Sequence, residues 1–218
     1  MGVLGSIQGW WRSRRSASGR ANGRLAPQVQ TAAWDMTRGL DVQQLDVLAT
    51  APVSMLPSEK LLLYALAYGT RPQRYLEVGT LYGGSAAIVC AALDALELPT
   101  RMALIDPEPR VDAQLLAHLE RRATLVRGYS PAAIKDAAAA AGGSFDFVLI
   151  DGDHTYQGTL NDLEGVLPYC QVGAYILCHD CFYPTVEQAV DDFVLKHTPA
   201  IADIGPLTRN TSSAADAD

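Results

Sequence analysis

Residues 74–85 read RYLEVGTLYGGS, from Arg74 to Ser85. Tyr75, Leu76 and Val78 form a short apolar run suited to a buried strand, and the glycines at 79, 83 and 84 turn the chain into an alanine-rich stretch that predicts a helix to about Glu97. Glycines in a strand-to-helix turn let the backbone approach a ligand closely, and the start of the helix leaves N–H donors free. A dinucleotide fingerprint needs glycines at 79, 81 and 84, but position 81 is Leu81. The spacing acid-x-Gly-x-x-x-Gly-Gly therefore points away from a nicotinamide or flavin cofactor and toward a ligand without a pyrophosphate.

The same strand-turn-helix step repeats outward from this segment. Further strands are expected at Met102–Ile105, Ala123–Val126, Phe145–Ile150, Ala174–Cys178 and, more weakly, Ile201–Ile204. Helices are expected from a Ser58 cap to Gly69, and then over 112–121, 131–141, 156–167 and 185–197. Alternation of this kind specifies an α/β, Rossmann-like, doubly wound fold with a mainly parallel sheet and helices on both faces. The chain divides into an N-terminal arm (1–55), a main domain (56–210) and a polar tail (211–218) expected to be disordered.

Composition narrows the function. Among 218 residues are 17 basic and 24 acidic ones, and five of the basic ones (Arg12, Arg14, Arg15, Arg20, Arg24) stand in the first 24 positions, which hold no acid. The remaining body is strongly acidic and a poor partner for a nucleic-acid backbone. No apolar run is long enough to span a bilayer, and the N-terminus lacks the apolar core of a secretory signal, so a soluble cytoplasmic protein without a membrane partner is expected. Cys90, Cys170, Cys178 and Cys181 are too few and too embedded in apolar segments for a disulfide framework, and the single CxxC lacks a second pair of soft ligands. Trp10, Trp11 and Trp34 all lie in the arm. Large aromatics pack on something, so the arm is expected to cover a substrate pocket or join a neighbouring subunit.

In doubly wound sheets, ligands gather at the carboxyl ends of the strands. The unusual polar residues all fall there: Glu77 and Gly79 after the first strand, Asp106 after the second, LIDGDHTY (149–156) after the fourth, and His179-Asp180 after the fifth. Asp106 is placed to accept hydrogen bonds from ribose hydroxyls. Asp153, just ahead of a helix, is expected to accept backbone N–H bonds. Tyr156 and Tyr183 are candidates for the border of an acceptor pocket.

EVGTLYGGSA, LIDPE, FDFVLIDGDHTY and GAYILCHD together resemble a class I S-adenosylmethionine-dependent methyltransferase, and more narrowly the DGxHxY small-molecule and sugar O-methyltransferases of bacterial natural-product pathways. The resemblance implies that Gly79, Thr80, Gly83 and Ser85 line the methionine part of the cofactor, with Glu77 at its amino group. It further implies Asp106 at the ribose and the segment Gly128–Ser130, Ser130 included, beside the adenine. Asp151, His179 and Asp180 match the positions that bind a divalent cation in metal-dependent relatives, and Asp151 also borders the cofactor. His154 matches a proposed general base. Where those relatives carry a second acid, this chain has His179, so the resemblance implies Mg²⁺ or, given the imidazole, a softer divalent cation. Members of the family commonly end in two further strands; here the C-terminal edge is expected to be truncated or completed by another subunit.

The chemistry is consistent with those roles. A hydroxyl must lose its proton as it attacks a sulfonium methyl, and an imidazole can take it for roughly 10²- to 10⁴-fold in rate. The expected protein is an O-methyltransferase acting on a small hydroxylated molecule, with catalytic His154 and Asp151, and forming a homo-oligomer. A non-catalytic S-adenosylmethionine-binding scaffold and a metal-dependent hydrolase are the alternatives.

Overall fold

The computed structural model describes residues 45–208. The tryptophans and arginines of the arm's first 44 residues, and the expected tail, lie outside them. A short helix α1 (Asp46–Thr50) comes first, followed by α2 (Pro57–Thr70), β1 (Arg74–Val78), α3 (Gly84–Ala95), β2 (Arg101–Asp106), α4 (Ala113–Leu119) and β3 (Ala123–Arg127). Then come α5 (Ile134–Ala141), β4 (Phe145–Ile150), α6 (Tyr156–Val166), β5 (Cys170–Cys178) and α7 (Pro184–His197).

All strand pairs are parallel, in the order β3-β2-β1-β4-β5. Successive crossovers move outward from β1 to β3 and then return to β4, so the order reverses between β1 and β4. That reversal opens a crevice at the carboxyl ends of these two strands.

β1 and β4 are apolar almost throughout because both of their faces are covered. Tyr75, Met102, Leu104, Phe147 and Leu149 face α2 and α3, joined by Ile88, Val89 and Leu93 of α3. Leu76, Val78, Ala103, Ile105, Val148 and Ile150 face α5, α6 and α7. Val47 and Leu48 of α1 also pack on the first cluster, within the segment that the sequence assigns to the arm. The helix α1 carries no strong signal in its five residues.

Two local expectations change. α2 starts one residue before Ser58: Pro57 occupies the first helical position, where its missing N–H is no loss, and Glu59 accepts the Leu56 N–H at 2.7 Å. Residues 201–206 form no strand. The Gly205 N–H turns back onto the Asp203 carboxylate at 2.8 Å, a local bond that competes with a sheet ladder, while Ile201 packs partly against the second cluster. β5 is therefore the sheet edge among the described residues, with Val172 fully exposed and Tyr175 half exposed. The four cysteines are free thiols.

Candidate active site

Parallel pairing continues one residue beyond the strands. The Gly79 N–H reaches Ile105 O, the Asp151 N–H reaches Val78 O and the His179 N–H reaches Ile150 O, at 2.9, 2.8 and 2.9 Å. Residues far apart in the chain are thereby set side by side at one end of the sheet. They border a cleft of 1930 Å³ lined by Gly79, Thr80, Ser85, Asp106, Ser130 and Asp151, with His154, His179 and Asp180 at its other end. Small-molecule sites commonly occupy roughly 300–1,000 Å³. The cleft thus has room for a nucleoside-sized ligand and a second molecule together.

The turn after β1 forms one wall. Gly79 has φ +90°, and a Cβ there would lie 2.0 Å from the carbonyl oxygen of Asp151, so only glycine lets β1 and β4 end this close together. Leu81 stands where a dinucleotide turn has glycine and holds φ 42°. Its strained backbone is tied down by two bonds: its N–H donates to Asp106 Oδ2 and its carbonyl accepts from the Arg110 N–H, both at 2.7 Å. The other Asp106 oxygen accepts the Glu108 N–H at 2.7 Å. Each carboxylate oxygen retains a lone pair, so Asp106 both braces the turn and can accept further bonds from the cleft. The hydroxyls of Thr80 and Ser130 are buried in the same wall without a well-formed hydrogen bond.

Glu77 and Gly83 lie outside the cleft lining. Glu77 is fully buried beneath the turn, where the Tyr75 and Ser85 hydroxyls donate to its two oxygens at 2.8 and 3.0 Å. Burial pushes its pKa up to about 8 against those two bonds. Gly83 backs onto Val111 and Leu119.

At the other end, two imidazoles share two carboxylates. His154 Nε2 is 3.1 Å from Asp180 Oδ2 and 3.6 Å from Asp151 Oδ1. His179 Nδ1 is 3.1 Å from each of those same oxygens, and its Nε2 is 3.3 Å from Glu59 Oε2. His154 is half exposed, stacks on Tyr183 with centroids 5.6 Å apart, and is anchored by the Thr185 hydroxyl donating to its carbonyl at 2.7 Å. Contact with Asp151 raises the His154 pKa, against partial burial and with help from the charge of Asp180. Burial alone would lower the pKa of His179, but hydrogen bonds to Asp151 and Asp180 hold it at about 11. Desolvation acts to raise Asp151, yet its bonds to both histidines keep it below the usual carboxylate range.

Three side chains at this end are grouped closely enough to hold a cation. Asp151, His154 and Asp180 each offer one ligand atom, all within 4.8 Å of one another. His179 stands outside that triangle with a carboxylate facing each ring nitrogen. Asp180 itself sits at φ 56°, a strained conformation of the kind that gathers at functional sites. Asp153 accepts the Thr155 N–H and hydroxyl at the start of α6, and the Tyr156 hydroxyl donates to Asp192 instead of entering the cleft.

A family model described as a methyltransferase domain matches residues 76–181, the span that holds the turn, Asp106, Asp151, His154 and Asp180. The chain has the class I methyltransferase fold, and its residues 76–181 resemble a methyltransferase domain. No curated protein matches it. Among solved structures, this methyltransferase fold is similar to the O-methyltransferase from Bacillus cereus in complex with SAH (18% identity, 72% of this chain and 79% of that chain, TM-score 0.53). It is also similar to the cofactor-bound protein Rv0187 from MTB (19% identity, 82% and 88% covered, TM-score 0.54). A third similar structure is CalS11, a TDP-rhamnose 3'-O-methyltransferase of calicheamicin biosynthesis (18% identity, 69% and 82% covered, TM-score 0.50). Among the described residues, no helix is long and apolar enough to cross a membrane.

Several cleft residues escaped the sequence reading. Glu59 looks like an ordinary first-turn acid, and Tyr82 and Phe182 look like packing aromatics, yet all three line the cleft, and both aromatics are about half exposed. Asp162 is a buried acid on α6 whose pKa desolvation lifts to about 6. Its position in the interior of a helix gave no local signal.

Proposed function

We propose that this chain is an S-adenosylmethionine-dependent O-methyltransferase that methylates a hydroxyl of a small molecule, of the sugar or secondary-metabolite kind, with His154 as general base. One observation carries the reading. A half-exposed imidazole backed by two carboxylates opens into the same cleft as the glycine turn and Asp106. Similar folds bound to SAH, and one named as a sugar O-methyltransferase, support the choice of cofactor and acceptor class.

When bound, S-adenosylmethionine supplies an electrophilic methyl group on a sulfonium. The protein's contribution is placement and proton transfer. Asp106 would accept bonds from the ribose hydroxyls, Gly128–Ser130 would border the adenine, and Thr80 and Ser85 would meet the amino-acid end, the Thr80 and Ser130 hydroxyls gaining partners there. His154 donates its Nε2–H to Asp180, which leaves Nδ1 with the lone pair that takes the acceptor's hydroxyl proton. Asp151 and Asp180 stabilise the resulting imidazolium, and the exposed ring passes the proton to solvent. Tyr183 fixes the ring plane. The free thiols fit a reducing, cytoplasmic setting.

A second reading is favoured by the triangle of Asp151, His154 and Asp180. Two carboxylates and an imidazole fit Mn²⁺, Fe²⁺ or Zn²⁺, which would polarise the acceptor hydroxyl, and His154 could not then serve as base through the nitrogen that binds the ion. Calorimetry with S-adenosylhomocysteine, with and without MnCl₂, separates the two. Cofactor binding indifferent to manganese, and turnover indifferent to chelator, support the free base. In His154→Ala, turnover should fall by roughly 10²- to 10⁴-fold while S-adenosylhomocysteine affinity stays nearly constant. A wild-type protein that does not bind S-adenosylhomocysteine would sink the proposal and favour a hydrolase.

A further inference from the structure

We propose that Glu59 is a positioning residue for the His154 base, acting through His179; the idea rests on the methyltransferase reading above. Glu59 lies before the matched segment 76–181, in the first turn of α2, and lines the cleft. Its Oε2 accepts the Leu56 N–H at 2.7 Å and lies 3.3 Å from His179 Nε2. Through Nδ1, His179 is 3.1 Å from Asp151 Oδ1 and 3.1 Å from Asp180 Oδ2. Those two oxygens are the ones that face His154 Nε2. A continuous contact chain thus runs from α2 to the base.

Two carboxylates directed at one point repel each other and swing apart unless a donor stands between them. His179, with a side chain only 10% exposed, is that donor behind the pair. An imidazole ring can flip, and Nδ1 faces the carboxylates only while Nε2 has a partner of its own on the far side. Glu59 is that partner. Capping α2 needs just an acceptor oxygen, which glutamine would also supply, so the helix alone does not account for a charged residue here.

The test uses the full chain labelled with ¹⁵N-histidine, with ring signals assigned through His154→Gln and His179→Gln. Glu59→Gln keeps an oxygen for the Leu56 N–H. The expected result is that Glu59→Gln shifts the ring-nitrogen signals of both His179 and His154 with the melting temperature unchanged. In the His179→Gln background, Glu59→Gln should add nothing to the His154 signal. A His154 signal that does not respond to Glu59→Gln, or that responds equally without His179, overturns the proposal. If Glu59→Gln does not fold, Glu59→Asp, which retracts the carboxylate from His179, is read the same way. Calorimetry with S-adenosylhomocysteine on the wild type runs alongside: failure to bind defeats the methyltransferase reading, whereas the histidine signals decide the contact chain separately.

Discussion

Replacing Glu77 by glutamine should stabilise the protein, and only above mildly acidic pH. Glu77 is fully buried, and desolvation raises its pKa from 4.5 to about 8, with the charge of Asp151 adding to the rise and the Tyr75 and Ser85 hydroxyls opposing it. Between those values the folded protein holds a proton that the unfolded chain has released, so stability falls as pH rises through the window and levels off above pH 8. At about 1.4 kcal/mol per pK unit, the penalty reaches about 5 kcal/mol at most. Glutamine has nearly the same shape and does not titrate; its amide oxygen can accept from one hydroxyl while the other rotates to accept from its amide N–H. Urea denaturation followed by circular dichroism at pH 5 and pH 8.5 measures the difference. The two proteins should be comparable at pH 5, and Glu77→Gln more stable by about 2–5 kcal/mol at pH 8.5. Stability curves that run parallel across this range would refute the reasoning, because Glu77 would then carry no buried charge penalty.

Other expectations concern the turn, the two imidazoles and the core. Gly79→Ala forces a Cβ to within 2.0 Å of the Asp151 carbonyl at φ +90°, and should cost more than about 3 kcal/mol in denaturant or give no folded protein; a wild-type melting curve would show that β1 and β4 do not end this closely. Since His154 has a raised pKa and acts in its neutral form, the acid limb of the turnover profile should lie above pH 6.5, and a limb below that value would argue against it as base. His179 titrates near 11 in the folded protein and near 6.5 when unfolded, so the stabilisation from its proton is complete below pH 6.5 and is lost as pH climbs toward 11. The destabilisation caused by His179→Gln should therefore shrink between pH 6 and pH 10 in urea titrations. Phe147→Ala removes a ring that meets Tyr75 edge-on in the first core cluster, and about 3–5 kcal/mol of unfolding free energy should go with it.

RYLEV and FDFVLI mark their own strands to the residue, because a run buried on both faces must be apolar throughout, a property of adjacent side chains. Glycine at 79 likewise announces a tight turn, and strands alternating with helices are enough to imply a parallel sheet whose carboxyl ends hold the site. Ile201–Ile204 shows the limit of such reading: its apolar residues suit a strand, but among the described residues no strand pairs with it and a local turn bond prevails. The division of labour at the cleft was decided only in three dimensions. Spacing along the chain puts Glu77 and Gly83 in the motif, yet packing turns the first beneath the turn and the second toward Val111. It names His179 and His154 alike, whereas the register of β4 against β5 and the approach of α2 decide which ring opens to the cleft and which is held among Glu59, Asp151 and Asp180. Propensity and periodicity act between neighbours in sequence, while the direction of a side chain at a strand end depends on partners that folding brings from elsewhere in the chain.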